Sequence, residues 1–451
     1  MREGLLKPLR IPQRSTTLSN GLRVVVHEDH TAPIVAVHLM YHAGSKDEQP
    51  GRTGLAHLLE HLLFEGSLHC PKGSFDRMLE RVGGTNNGST WFDRTNYYEV
   101  VPSHAVELAL WLERDRMAHF LPVLNNEIVE VQRSVVMNER RQVYENRPYG
   151  MAFERLNQLL FPPDHPYSWP TIGYMPDLEV MELADARSFY QRYYTPDNAV
   201  LVLAGDVNTE EGFAWAEKYL GDITPGGNPP VQPGPLDPGP SGRIEVMEDR
   251  VTFPRIYHAT AVAPFGSDDW VALDVLSYLL ADGESSRLQR TLIREEQIAQ
   301  DVDTYLYPTQ LTGIFGFVAT SRSGVEPDRL IAAIDKVVAG VAEGGVTEVE
   351  LEGAIRRARK DQLQTFSTVE DLADELAYVT TVLGAPEQLE ELVNRYVEVT
   401  AEDIARVARR YLAPERRATV IVIPGAGGTG SDEGIDDEEF DGNDGEGYSF
   451  E

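Results

Sequence analysis

Three side chains able to do chemistry stand close together in the stretch Gly54-Leu55-Ala56-His57-Leu58-Leu59-Glu60-His61-Leu62-Leu63-Phe64. Apart from His57, Glu60 and His61 the segment is apolar on all sides and has no breaker after Gly54, which predicts a helix buried all round. At 3.6 residues per turn, His57 and His61 lie one turn apart on one face with Glu60 beside them. Two hydrogen-bonded core histidines with a paired carboxylate are the plain reading of such a trio. A glutamate is almost never buried without compensation, however, and a cation is the usual one. Histidines at i and i+4 can bind one Zn²⁺ at about 2.0–2.1 Å, and a neighbouring glutamate can take a proton from water.

The element that would complete such a site is the long stretch 126–146. Val131, Val135 and Val143 form a ladder in steps of four, and the position that completes it is Glu139. A carboxylate inside an apolar stripe needs a counterpart in the core; the alternative is a helix that exposes that row in part. Glu130 and Glu127 are weaker candidates for the same task.

The surrounding chain predicts strands at Gly21 to Val26 and Ile34 to Leu39, and a helix around Phe75 to Arg81. A strand pair follows at 83–90 and 95–101, then helices around 105–119 and 183–194 and a short buried strand at 199–206. Pro and Gly crowd residues 225–242, which marks a linker. Beyond it the pattern recurs. Tyr278 stands 217 residues after His61, Gly283 217 after Gly66, and Tyr411 218 after Tyr193. A constant offset signifies duplication. It sets Asp274, Ser277 and Tyr278 against His57, Glu60 and His61, so the second half has the scaffold without the metal site.

The fold class expected is therefore α+β: two homologous halves, each a mixed, mainly antiparallel sheet covered by helices. The domains expected are 15–224 (metal-binding), 225–242 (linker), 243–424 (the homologous half) and 425–451, an acidic, Gly-rich tail without Lys or Arg that reads as disordered. A net charge of −32 over 451 residues argues against nucleic acid as a partner. The single cysteine, Cys70, rules out an internal disulfide framework and a thiolate zinc site, and His69 beside it reads as coincidence. No run approaches membrane-spanning length, and Met1 to Arg14 lacks the apolar core of a signal peptide. The chain as it stands reads as cytoplasmic, or periplasmic if a leader has been removed.

The order H-x-x-E-H within Gly54 to Ser67 resembles the active-site segment of the pitrilysin, insulinase and mitochondrial processing peptidase family, and the whole resembles its bacterial two-domain subunits. The resemblance spans about residues 15 to 424. It implies a zinc-dependent endopeptidase that encloses peptides or unfolded segments in a clamshell chamber, with one Zn²⁺ per chain held by His57, His61 and Glu139 and with Glu60 as the catalytic base. The third ligand of the family is likewise a glutamate, in a segment similar to 134–140. Members often carry a second glutamate two turns earlier, where this chain has Gln132, which can hydrogen-bond a ligand histidine but brings no charge. Substrate is expected to add a strand along Asn86 to Thr90, with Asn87 and Thr90 as contacts; for Asn87 an ordinary turn role is the alternative. In the second half of active members an Arg and a Tyr hold the substrate. Here Arg294 is displaced in register and Gln300 stands where the Tyr would be, with Tyr305 or Tyr307 as substitutes. The resemblance thus implies a homodimer, or a heterodimer with a related subunit that supplies the Arg and Tyr. Two other functions remain open: a non-catalytic partner subunit of the same fold, and a peptide-binding module with structural zinc.

Overall fold

A computed structural model of the chain describes residues 8–227 and 234–425. The centre of the expected linker and nearly all of the expected acidic tail lie outside the described residues. Two sheets form the framework. The first contains β1 (Arg14–Thr17), β2 (Arg23–Glu28), β3 (Ile34–Tyr41), β4 (Thr85–Thr90), β5 (Thr95–Pro102) and β6 (Ala199–Gly205), in the order β1-β2-β6-β3-β5-β4. The second contains β7 (Ile244–Asp249), β8 (Arg255–Val262), β9 (Ala299–Tyr307), β10 (Gly313–Ser321) and β11 (Ala418–Pro424), in the order β7-β11-β8-β10-β9.

The two orders coincide once β1 is set aside. β2 runs parallel to β6, and β7 runs parallel to β11; every other pairing in both sheets is antiparallel. The duplication expected from the spacing is thus present in the topology. The sequence reading missed β1, a four-residue edge strand of Arg, Ser and Thr without an apolar face. At the centre, β6 reads Ala-Val-Leu-Val-Leu-Ala-Gly and is buried along its whole length, as a strand covered on both faces must be.

The coverage is reciprocal. The helix Val369–Leu383 of the second half lies on β3 and β6 of the first sheet, where Ala373, Leu376 and Ala377 join one core with Ala36, Met40, Val200 and Val202. The helix Ala152–Leu160 of the first half lies on β8 and β11 of the second sheet, where Ala152, Leu156 and Leu160 meet Ala259, Ala261 and Val420. Each half therefore lends a helix to the other's sheet. No helix among the described residues is long and apolar enough to cross a membrane.

Candidate metal centre

The histidine helix spans Leu55–Leu63, and all its residues except His57 and His61 are buried. Its start is fixed from two sides. Gly54 has φ 88°, and a Cβ there would lie 2.4 Å from the carbonyl oxygen of Ile172, so only glycine fits. The buried Glu48 accepts from Gly54 N at 2.9 Å and from Ala56 N at 2.8 Å, putting a carboxylate on the positive end of the helix. Nothing in the local sequence pattern marked Glu48 for this role, because it stands six residues before Gly54, the N-cap of the helix.

The helix Asn126–Arg140 delivers Glu139. Its N-cap Asn125 accepts from Ile128 N, and its far end is tied by the buried Arg140, which donates to Gly173 O and Glu154 Oε2, each at 2.7 Å. The valine ladder is not what turns Glu139 inward. Val131 and Val135 are 48% and 43% exposed, and the buried face runs instead through Val129, Gln132, Val136 and Arg140. Glu139 stands at the border of that face, and this is enough to aim it at the histidines.

The three side chains meet. His57 Nε2 and His61 Nε2 are 3.3 Å apart, His61 Nε2 is 3.3 Å from Glu139 Oε2, and His57 Nε2 is 3.6 Å from Glu139 Oε1. A tetrahedral ion with bonds of 2.0–2.1 Å holds its donors about 3.3 Å apart. The triangle therefore has the dimensions of one face of a zinc tetrahedron. The electrostatics agree. Burial alone would lower the His61 pKa, but the hydrogen bond and charge of Glu139 and the charge of Glu60 raise it. Burial alone would raise the Glu139 carboxyl, but His61 and His57 hold it below its ordinary value. The spot thus favours positive charge facing the carboxylate, as a cation site must.

Glu60 faces the same space from one turn of the histidine helix and accepts from Thr90 Oγ1 at 2.5 Å. Gln132 lies behind His61, to which it can hydrogen-bond, and donates through Nε2 to Glu65 Oε1 at 2.6 Å. The cluster opens on a cavity of about 390 Å³. One wall is the edge strand β4, from Asn87 to Thr90, and the second half contributes Tyr307 and the acidic Glu370, Asp371 and Asp374 to the lining. Those three acids were missed in the sequence, where they look like the solvated face of a helix.

Thr90 lines the cavity, and its hydroxyl donates to Glu60. Two other expected contacts do not line it. Arg294 is exposed and paired with Glu284, outside the cavity lining. Gln300 sits at the start of the edge strand β9, also outside the lining, and donates to Ser321 O at 2.9 Å across the sheet. Neither lines the cavity, because Arg294 precedes β9 and Gln300 lies at its start, at the far end of the strand from Tyr307. Of the two tyrosines, Tyr307 lines the cavity, whereas the ring of Tyr305 is buried over Gly316. Asn87 is exposed on β4, with Oδ1 accepting from Gly88 N at 2.9 Å.

Known proteins resemble the chain over most of its length. Residues 23–164 match the model described as insulinase (peptidase family M16), and residues 181–358 match that of the peptidase M16 inactive domain. The chain is 30% identical over 420 residues to the zinc protease PqqE of Helicobacter pylori, covering 91% of this chain and 92% of that one. It is 26% identical to an uncharacterized zinc protease of Streptomyces coelicolor, over 91% and 89% of the two chains. The crystal structure of a protease from Helicobacter pylori superposes with a TM-score of 0.86 at 29% identity, over 92% of this chain and 99% of that one.

Proposed function

This chain belongs to the M16 peptidase family, and from that premise we propose that it is a zinc-dependent endopeptidase acting on peptides or unfolded segments enclosed in a chamber. The observation that carries the reading is the triangle of His57, His61 and Glu139, sized for a tetrahedral ion, with Glu60 beside it and a cavity in front. His57, His61 and Glu139 would hold one Zn²⁺ and leave a fourth position open. When bound, the zinc supplies Lewis-acid chemistry, polarising a carbonyl and acidifying water.

The remaining work falls to the chain's own residues. Glu60 takes the proton from the attacking water and returns it to the leaving amine nitrogen, breaking the C–N bond. Thr90 holds the Glu60 carboxylate in one orientation through its hydroxyl. Gln132 braces the His61 side of the site. Substrate lies extended along β4, adding a strand by backbone hydrogen bonds, so that length and shape govern selection more than side-chain identity. Glu370, Asp371 and Asp374 give the lining negative charge, which favours cationic side chains.

Because Arg294 and Gln300 stand away from the cavity, the substrate-holding Arg and Tyr come from a second subunit, either another copy of this chain or a related one. The test is cleavage of a mixed set of basic and neutral peptides by the purified zinc-loaded chain, alone and together with a related two-domain subunit, read by mass spectrometry. Cleavage that a chelator abolishes and zinc restores supports the reading. A zinc-loaded chain that cuts nothing in either setting overturns it and favours a peptide-binding or non-catalytic role.

A further inference from the structure

A second group of potential ligands lies outside the chamber. His69, Asp115 and His119 each offer a donor atom, and these atoms all lie within 4.8 Å of one another. His69 occupies the tip of a tight hairpin between Gly66 and Pro71, which is closed by a β-bridge and by a hydrogen bond from Ser67 N to Cys70 O at 2.8 Å. His119 and Asp115 come from the last turns of the helix Val106–His119. The hairpin is pinned to that helix end by Leu68 N, which donates to His119 O at 3.1 Å.

Two independent features give this group the form of a metal site. The first is the mutual pose of the rings. His69 and His119 meet edge to face, with centroids 4.9 Å apart and planes at 83°; His57 and His61 in the chamber meet with centroids 4.7 Å apart and planes at 85°. The second is the carboxylate behind the exposed histidine. Asp115 is buried and accepts from His69 Nδ1 at 2.6 Å, from His69 N at 3.0 Å, and from the Ser67 hydroxyl. A ligating histidine is commonly oriented by a carboxylate on its other nitrogen, which fixes the tautomer and raises its basicity. The His119 ring makes no hydrogen bond among the described residues, and one of its nitrogens lies within 4.8 Å of the donor atoms of His69 and Asp115.

We propose that His69 and His119, with Asp115 orienting His69, form a second, peripheral binding site for a divalent transition-metal ion of the imidazole-preferring kind, such as Zn²⁺. Two imidazoles and solvent complete the coordination, so this site binds more weakly than the chamber and fills at higher free zinc. Its position gives it a target. The hairpin follows directly on Glu65, the residue that accepts from Gln132 behind His61, so an ion at the tip stiffens the segment that supports the chamber from outside.

The test is zinc stoichiometry of the full chain after equilibrium dialysis against buffered free zinc in the micromolar range, measured by elemental analysis and native mass spectrometry. Two ions per chain are expected for the wild type, with one remaining in His119→Asn and in His69→Gln. His61→Ala should also retain one ion, now at the hairpin, and this ion should be lost when His119→Asn is added. Thermal denaturation of each metal-free variant shows whether it is folded, and either single hairpin variant suffices. One ion in the wild type at every zinc concentration, or two in both hairpin variants, overturns the proposal.

Discussion

Replacing Glu60 with Gln separates proton transfer from metal binding, because the structure gives Glu60 no part in the donor triangle. The proposed ligand atoms are on His57, His61 and Glu139, and the Glu60 carboxylate is instead held by the Thr90 hydroxyl at 2.5 Å. The amide oxygen of Gln can accept that same hydrogen bond, so the side chain keeps its place and the fold loses little. What disappears is the proton acceptor. General-base catalysis contributes about 10²- to 10⁴-fold, which corresponds to about 2.7–5.5 kcal/mol of barrier. Peptide cleavage by Glu60→Gln should therefore fall by at least about two orders of magnitude in kcat. Zinc content and melting temperature should stay close to wild type. The assay pairs single-turnover cleavage of one susceptible peptide, in the presence of whatever subunit the wild type requires, with zinc analysis of the same preparation. A variant that keeps more than about a tenth of the wild-type rate would refute the assignment of the base. A variant that loses its zinc would show instead that Glu60 belongs to the coordination sphere.

Gln132→Ala removes the amide behind His61 and its bond to Glu65, so zinc affinity in a chelator competition should weaken about 10- to 100-fold; an unchanged affinity would confine Gln132 to supporting Glu65. Gly54→Ala forces a side chain into φ 88° and against the Ile172 carbonyl, and should cost at least about 2 kcal/mol in denaturant unfolding together with zinc occupancy. Asp274, the counterpart of His57, has its carboxyl pushed by burial from 3.8 up to about 6, while Tyr396 Oη donates to it at 2.6 Å. Between those pH values the folded chain keeps a proton that the unfolded chain has released, so stability falls as pH rises through the window and stays lower above it. The loss is up to about 3 kcal/mol. Asp274→Asn should flatten that slope and raise stability at neutral pH by about 1–3 kcal/mol, as read from denaturant midpoints at a series of pH values.

The histidine helix was legible because its signal is local: His57, Glu60 and His61 share one turn, and the apolar residues around them state their burial. Glu139 was found, but the valine ladder that pointed to it faces solvent, and the inward aim comes from the neighbouring row of Gln132 and Val136. The duplication was legible because the topology repeats with the sequence offset. Contacts that depend on distant parts of the chain were not. Glu48 caps the histidine helix across a loop, Thr90 engages Glu60 from another strand, and the acidic wall of Glu370 and Asp374 arrives from the other half. Arg294 and Gln300 show the converse: resemblance in sequence placed them at substrate, yet Arg294 lies before β9 and Gln300 at the end of that strand away from Tyr307, both outside the cavity lining.

The exchange of helices between the two sheets separates the unit of inheritance from the unit of folding. Each repeat carries its own set of strands, yet Ala373, Leu376 and Ala377 seal the first sheet, and Ala152, Leu156 and Leu160 seal the second. Either repeat expressed alone would present a bare apolar face, whereas the two expressed as separate polypeptides would each supply what the other lacks. The same interlock governs access to the chamber. The helix bearing Glu370 and Asp374 cannot swing away from His57 and His61 without stripping the cover from β3 and β6. The seam between repeats is therefore a weld rather than a door, and the cavity cannot open by parting the two halves.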